Sequence, residues 1–362
     1  MKKFAFIIHP LELEDFYRKF SWADKLPDSV LERFVRMIPP IKASHITGIK
    51  SITGKEIEGF FVGVPLTSKQ MLTMPTEKVL KKIIKAGKKA EELGADIVGL
   101  GAFTSVVGDK GITVASELDI AVTTGNSYTV ATAIEGTKLA AEKMGHKLKD
   151  STMTVIGATG SIGRAVSLIL SMDVKQINLV ARTQEKLKTL EDDIKQLNSN
   201  VEVMYTTDVG EAVKQSEIII SASGAVQSLI DTAHLQPGAV VCDVARPRDV
   251  AVKVGRERDD VLVIEGGIVD VPGPVNFNFN FGYPPGTAYA CMAETMMLTL
   301  EEKFEDYSLG PIIDIDKVRE TLAMAGKHGF RLAGIRSFER ALSDDKIEEI
   351  RKKANEKIVA FC

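Results

Sequence analysis

Cysteine is scarce in this chain: of 362 residues only Cys242, Cys291 and Cys362 are cysteine, and they lie far apart. An odd, scattered set excludes a disulfide framework and fits a reducing cytoplasm. The five histidines are equally dispersed. No Cys/His cluster has zinc-ligand spacing, so no metal site is expected. An excess of one charge is also lacking. A net charge of −3 gives no global reason for nucleic acid or a membrane surface as partner. Met1-Lys2-Lys3 followed by Phe4–Ile8 begins like a signal peptide, but the apolar stretch is cut at His9-Pro10, too short for a signal core. It reads better as a first strand. No apolar run approaches transmembrane length. These absences point to a cytoplasmic protein without a transmembrane segment, its oligomeric state left open.

The composition that is present, 44% hydrophobic and 26% charged, is that of a globular protein. The length favours two domains over one core. Residues 1–150 mix strands (Lys3–His9, Glu58–Val64, Asp96–Leu100, Leu118–Val122) with helices. In one helix, Thr76–Leu93, the residues Val79, Leu80, Ile83, Ile84 and Leu93 recur at helical spacing. Another, Tyr128–Met144, is closed by Gly145. Residues 151–286 alternate strands (Met153–Gly157, Ile177–Val180, Val201–Tyr205, Ile218–Ser221, Val240–Asp243, Val261–Glu265) with helices (Gly163–Ser171, Gln184–Leu197, Val209–Gln215). That alternation predicts an α/β fold with a parallel, doubly wound, Rossmann-type sheet. After the Pro/Gly-rich stretch Val271–Gly286, residues 287–362 read as helices, beginning with Ala288–Phe304.

The turn Gly157-Ala-Thr-Gly160-Ser-Ile-Gly163 follows a strand and opens a helix. Glycines there permit a tight turn and close approach of backbone to a pyrophosphate, which rests on the helix N-terminus. The G-x-x-G-x-x-G spacing is a loose match, and its place in a βαβ unit gives it meaning. The cofactor set expected here is Gly157, Thr159, Gly160, Ser161, Ile162 and Gly163, with Ser221 and Ala222 at the end of a later strand. The second strand ends in Ala181-Arg182-Thr183, without the acid that an NAD enzyme places on the ribose 2′-hydroxyl. A guanidinium clamps a 2′-phosphate bidentately, and Thr183 adds a hydroxyl, so NADPH is the expected cofactor.

Cys242 falls within a strand run, where an inert buried thiol is the ordinary reading. Cys291 sits in the first turn of the helix after Pro284-Pro-Gly-Thr287, where the helix end lowers a thiol pKa. Taken alone, a Cys beside Met292, Met296 and Met297 is more often core packing.

Taken with Cys291, a set of motifs in order along the chain resembles one family. They are Leu100-Gly-Ala-Phe-Thr-Ser105, Thr123-Thr-Gly-Asn126, Val155-Ile-Gly-Ala-Thr-Gly-Ser-Ile-Gly163, Ala181-Arg-Thr-Gln-Glu-Lys-Leu187, Glu265-Gly-Gly-Ile-Val269, Ala290-Cys-Met-Ala-Glu-Thr-Met-Met-Leu298 and Lys327-His-Gly-Phe330. The family is that of the long-chain fatty acyl-[acyl carrier protein] reductases. The resemblance implies NADPH-dependent reduction of a fatty acyl thioester, carried by acyl carrier protein or coenzyme A, to an aldehyde, with Cys291 as nucleophile. Departures are Asp270–Ala288, which looks shortened, Tyr128, where the family pattern leads one to expect His, and the unmatched tail Arg331–Cys362.

Ser105, Thr124 and Asn126 follow strands of the first domain, where α/β sites gather, and are assigned to the catalytic cleft. Loop hydrogen bonding and helix capping by Asn126 or Ser127 explain them equally. Asp243, Arg246 and Arg248 read as a nicotinamide border or as surface pairs. Lys78, Lys81, Lys82, Lys85, Lys88 and Lys89 share one side of a helix and read as a docking face for an acidic carrier or as a solvated face. The alternation Asn276-Phe-Asn-Phe-Asn-Phe281 reads as an acyl channel or as a strand on the core. An alternative to the reductase is an alcohol or hydroxy-acid dehydrogenase of the shikimate-dehydrogenase type, in which Cys291 only packs.

Overall fold

The computed structural model describes residues 1–13, 27–223, 230–244, 252–280, 282, 284–337 and 340–361. The chain forms two compact units, neither continuous in sequence. One comprises Met1–Asn126, Asp270–Pro311 and Glu320–Arg331; the other comprises Ser127–Val269, Ile312–Arg319 and Leu332–Cys362. The helix Asn126–Met144, placed by sequence at the end of the first domain, thus belongs almost wholly to the second unit.

In the first unit a five-stranded sheet has the order β2 (Ile41–Lys50), β3 (Glu56–Gly63), β1 (Lys2–Ile8), β4 (Ile97–Leu100), β5 (Ala121–Thr123). All pairings are parallel except β2 with β3. Alternation in β1 sends Ala5 and Ile7 to one face, where they pack with Val62, Val64, Val98 and Leu100 under helix Thr76–Glu92. That helix turns in Val79, Ile83, Ala86 and Ala90, all fully buried. Each such Val or Ile contributes about 1.5–3 kcal/mol by leaving water. Gly87 leaves room on the same helix for the side chain of Leu118. Leu118 is thereby drawn into helix packing, and the strand begins at Ala121 rather than at Leu118.

On the opposite face Phe6 and Gly99 receive helix Ala290–Glu301, because a side chain at Gly99 would overlap Thr295 and the Phe6 ring. Phe277 stacks on Phe61 at 6.0 Å between centroids, and Phe279 meets the same ring edge-on at 5.7 Å. These two of the alternating phenylalanines therefore pack on an aromatic core residue; Phe281 lies outside the described residues.

The second unit holds a six-stranded, wholly parallel sheet with the order β11 (Leu262–Glu265), β10 (Val240–Asp243), β9 (Ile218–Ser221), β6 (Thr152–Ile156), β7 (Gln176–Val180), β8 (Glu202–Thr206). This is the doubly wound dinucleotide-binding order, with its switch point between β6 and β9. The expected α/β class is borne out. Cys242 is fully buried, its thiol 3.9 Å from the carbonyl of Ala133. The end of the chain is less helical than expected. Helices Ile315–His328 and Asp344–Phe361 are separated by two-residue strands at Arg331–Leu332, Arg336–Ser337 and Arg340–Ala341. No helix among the described residues is long and apolar enough to cross a membrane.

A buried chain of hydrogen bonds joins three segments of the first unit. His328 Nε2 lies 2.7 Å from Glu301 Oε1, and Ser51 Oγ 2.8 Å from His328 Nδ1. A neutral imidazole donating to Glu301 and accepting from Ser51 satisfies both contacts. The order imitates a hydrolase triad, yet Ser51 is only 2% exposed, so no substrate reaches it. Burial holds the His328 pKa below its ordinary 6.5, against the opposing pull of Glu301. The unfolded chain then binds a proton that the folded chain refuses. Stability should therefore hold above about pH 6.5 and fall as the pH drops through the folded value. Thermal melts of wild type and His328→Gln at pH 7 and pH 5 check this: the loss of Tm on acidification should be smaller in the variant.

Candidate functional site

Each unit carries one of the two expected sets of residues. In the second unit the turn after β6 is built as a nucleotide turn requires. Gly157 has φ +78, and a Cβ there would stand 2.9 Å from the backbone of Ala222 and Ser223. A side chain at Gly163 would collide with the carbonyl of Gly157. Glycine is needed at both positions because the β6 turn, the β9 exit and the following helix approach backbone to backbone. The turn is fixed by the Gly157 and Ala158 amides donating to Val180 O at 2.8 and 3.0 Å, and by the Ala222 amide donating to Ile156 O at 2.9 Å. Helix Ser161–Leu170 begins with Gly160 at its N-cap and no side-chain cap. Its first amides, at Ser161, Ile162 and Gly163, have no carbonyl within the helix to meet and face outward at its positive end.

Arg182 and Thr183 follow β7 and are exposed, and Thr183 caps its helix without a side-chain bond. Thr159 is half-buried in the turn, and Ser221 is fully buried at the end of β9. The donors thus suit a dinucleotide: glycines where backbone must come close and amides at a helix start, with the exposed Arg182 cation at the end of β7. Arg246 and Arg248 lie outside the described residues; Asp243 is buried at the end of β10.

In the first unit Cys291 is the second residue of helix Ala290–Glu301, which starts after Tyr289 without a side-chain cap. Its thiol belongs to a half-buried residue. The loop leaving β5 lies directly on it. Gly125 has φ +73, and a Cβ there would overlap Cα and Cβ of Cys291. The fold thereby brings Thr124, Gly125 and Asn126 to the thiol-bearing turn. Thr124 Oγ1 donates to Ser308 O at 2.5 Å. Asn126 is half-buried and is itself the first residue of helix Asn126–Met144, which starts two residues earlier than expected.

Ser105 leaves β4, the neighbour of β5 in register. Its hydroxyl donates within its own turn, to Ala102 O at 2.7 Å, and Ala102 takes φ +47, which a non-glycine residue adopts under strain. His9, at the end of β1, has its Nδ1 2.9 Å from Pro10 O and accepts the Phe103 amide at Nε2, 3.1 Å away. It was not anticipated from sequence, although its place after the first strand could have signalled it.

Also unanticipated is Glu294, fully buried one helical turn after Cys291. Its Oε1 accepts the hydroxyls of Thr123 at 2.6 Å and Ser308 at 2.8 Å. A single acid inside the apolar run Ala290–Leu300 was the available signal, since an acid is almost never fully buried without partners. Tyr128 stands in the second unit, buried. Its phenol is pushed well above the ordinary range by burial and then by Glu135, so it stays protonated at neutral pH.

Of the lysine row, Lys78, Lys81, Lys85 and Lys88 are exposed. Lys82 is half-buried and donates to Ile38 O at 2.9 Å, and burial, then Lys85, lowers its pKa. Lys89 pairs with Glu92 at 2.8 Å.

The fold and the β6 turn define a Rossmann-type α/β protein, and comparison with known proteins narrows this. Residues 138–265 match the family model described as shikimate / quinate 5-dehydrogenase. The chain is similar to a long-chain acyl-[acyl-carrier-protein] reductase of Synechococcus elongatus, 28% identical over 91% of this chain and 98% of that protein. The resemblance read from the sequence is therefore borne out over nearly the whole length. The aminotransferase PigE of a Serratia species is 29% identical over 97% of this chain, which spans only 42% of PigE. Among solved structures, quinate dehydrogenase from Corynebacterium glutamicum aligns at 12% identity over 89% of this chain and 98% of its own, with a TM-score of 0.39.

Proposed function

We propose that the chain is an NADPH-dependent oxidoreductase that reduces a long-chain fatty acyl thioester to a fatty aldehyde through an acyl-Cys291 intermediate. One observation carries the reading. A half-buried thiol opens an uncapped helix, braced by the glycine of the β5 loop, in a chain similar along most of its length to an acyl-carrier-protein reductase. The shikimate / quinate 5-dehydrogenase match covers only 138–265. It therefore supports a nicotinamide cofactor and is silent on Cys291.

The chemistry follows from the residues. The first-turn position favours the Cys291 thiolate through the positive end of the helix. The thiolate attacks the acyl carbonyl, a C–S bond forms to Cys291, and the carrier thiolate leaves and takes up a proton. The developing oxyanion is met by amide N–H groups of the helix start, which are preorganised donors. NADPH, held by Gly157–Gly163, Arg182 and Thr183, would supply the hydride that takes the acyl group to the aldehyde, and the Cys291 thiolate is released. In this reading the first unit serves the substrate and carries the nucleophile, and the second serves the cofactor, in place of the contiguous ranges 1–150, 151–286 and 287–362. Ser105, Thr124 and Asn126 border the reacting carbonyl. The exposed lysines 78, 81, 85 and 88 complement an acidic acyl carrier protein, and the sparse cysteines fit action in the cytoplasm.

Incubation with a long-chain acyl thioester and NADPH tests the reading. Aldehyde should appear, and mass spectrometry should find the acyl group on the Cys291 peptide when NADPH is withheld. NADPH consumption without aldehyde, or acylation elsewhere, would overturn it. For the cofactor, Arg182→Glu removes a charge-assisted contact to the 2′-phosphate and adds repulsion. The preference for NADPH over NADH, measured as a ratio of kcat/KM, should fall by about 10- to 100-fold.

A further inference from the structure

The loop that touches Cys291 is itself held from the far side. Thr123 Oγ1 accepts the Gly125 amide at 3.2 Å and donates its own proton to Glu294 at 2.6 Å. Ser308 donates its hydroxyl to the same carboxylate oxygen at 2.8 Å, while its carbonyl accepts from Thr124 Oγ1. Glu294, Thr123, Thr124 and Ser308 thus form a closed ring. Two hydroxyl donors converge on one oxygen of a fully buried side chain, using both of its lone pairs. Ser308 stands at φ +54, a left-handed conformation that costs a non-glycine residue free energy and persists only where neighbours enforce it. Its hydroxyl and its carbonyl are both engaged in this ring. Glu294 is also three residues beyond Cys291 on one helix, so the two side chains share a face.

We propose that Glu294 is the positioning residue of the thiol site: its carboxylate gathers the Thr123 and Ser308 hydroxyls and so clamps the Thr123–Asn126 loop onto the turn that presents Cys291. This rests on the reductase reading for its kinetic consequence, but the clamp can be observed without turnover. Removing one buried partner leaves the others unsatisfied, and a displacement of about 1 Å near reacting groups costs on the order of a hundredfold in rate.

The test uses Thr123→Val, which is close in shape and lacks the hydroxyl, and Thr123→Ser, which keeps it. Ser308→Gly serves as a second clamp variant, because glycine adopts the left-handed φ freely and so does not depend on tolerance of a strained residue. Two readouts are followed in the full chain: steady-state aldehyde formation, and the rate at which iodoacetamide labels the Cys291 peptide. Thr123→Val and Ser308→Gly should lower kcat by about ten- to a hundredfold with KM for NADPH unchanged, and should label several-fold faster as the loop releases the thiol. Thr123→Ser should restore both. Wild-type labelling and kcat in Thr123→Val and Ser308→Gly would overturn the clamp, as would equal impairment of the Val and Ser variants. If no protein forms aldehyde but labelling still separates Val from Ser, the clamp stands and the reductase reading fails.

Discussion

Cys291→Ala is expected to abolish aldehyde formation, by at least about a thousandfold in kcat, while leaving NADPH affinity within about twofold of wild type. The loss follows from the chemistry: alanine offers no lone pair to the acyl carbonyl, and the other cysteine among the described residues is out of reach of a substrate. Cys242 is fully buried within β10 of the other unit. The proposed cofactor residues Gly157–Gly163 and Arg182 also belong to that second unit, so their arrangement does not depend on the thiol. Because Cys291 is only half-buried and small, its truncation should change stability by no more than about 1 kcal/mol. Cofactor titration, a thermal melt and aldehyde detection on one preparation check all three expectations. Retained aldehyde formation would sink covalent catalysis through Cys291 and leave direct hydride transfer to the thioester, with Cys291 only packing.

The nucleotide-binding half was legible because its signals are local. A strand, three glycines at fixed spacing and a helix lie within a few residues of one another, and the parallel order follows from the alternation that continues to Glu265. Strand β2 was not legible. Its pairing with β3 shifts register between Lys42 and Ser44 and again between Ile46 and Ile49. Each bulge resets which side chain faces inward, so the buried Ile46 and Ile49 lose period two. The end of helix Ala290–Glu301 was overestimated for a similar reason. Glu302 takes φ +57 at the C-cap, a conformation usually signalled by glycine. In the thiol site, Cys291 could be read from its place after Thr287, and Thr124 and Asn126 from their strand end. Glu294 and Ser308 could not be placed with them, since their meeting depends on a chain return from the 290s to β5 that no local pattern encodes.

Gly125→Ala should be nearly as damaging as loss of the thiol, although Gly125 carries no reactive atom. Two costs combine. The backbone is at φ +73, where an L side chain costs about 1–2 kcal/mol. The added Cβ would also overlap the Cα and Cβ of Cys291 and stand 2.7 Å from its carbonyl oxygen. Those are mostly backbone atoms of a helix start and cannot rotate away, so loop or helix must shift, at a further cost of about 1–3 kcal/mol. A destabilisation of about 2–5 kcal/mol is therefore expected from chemical denaturation. Activity should fall further than stability explains, by about a hundredfold or more in the protein that remains folded, because the shift falls on the turn that presents the proposed nucleophile. The same substitution at Gly94, φ +78 with open space around its Cβ, separates the two costs: it should show the backbone penalty alone and full activity. Should Gly125→Ala prove no more damaging to turnover than Gly94→Ala, the close packing of the β5 loop on Cys291 would have no part in the reaction.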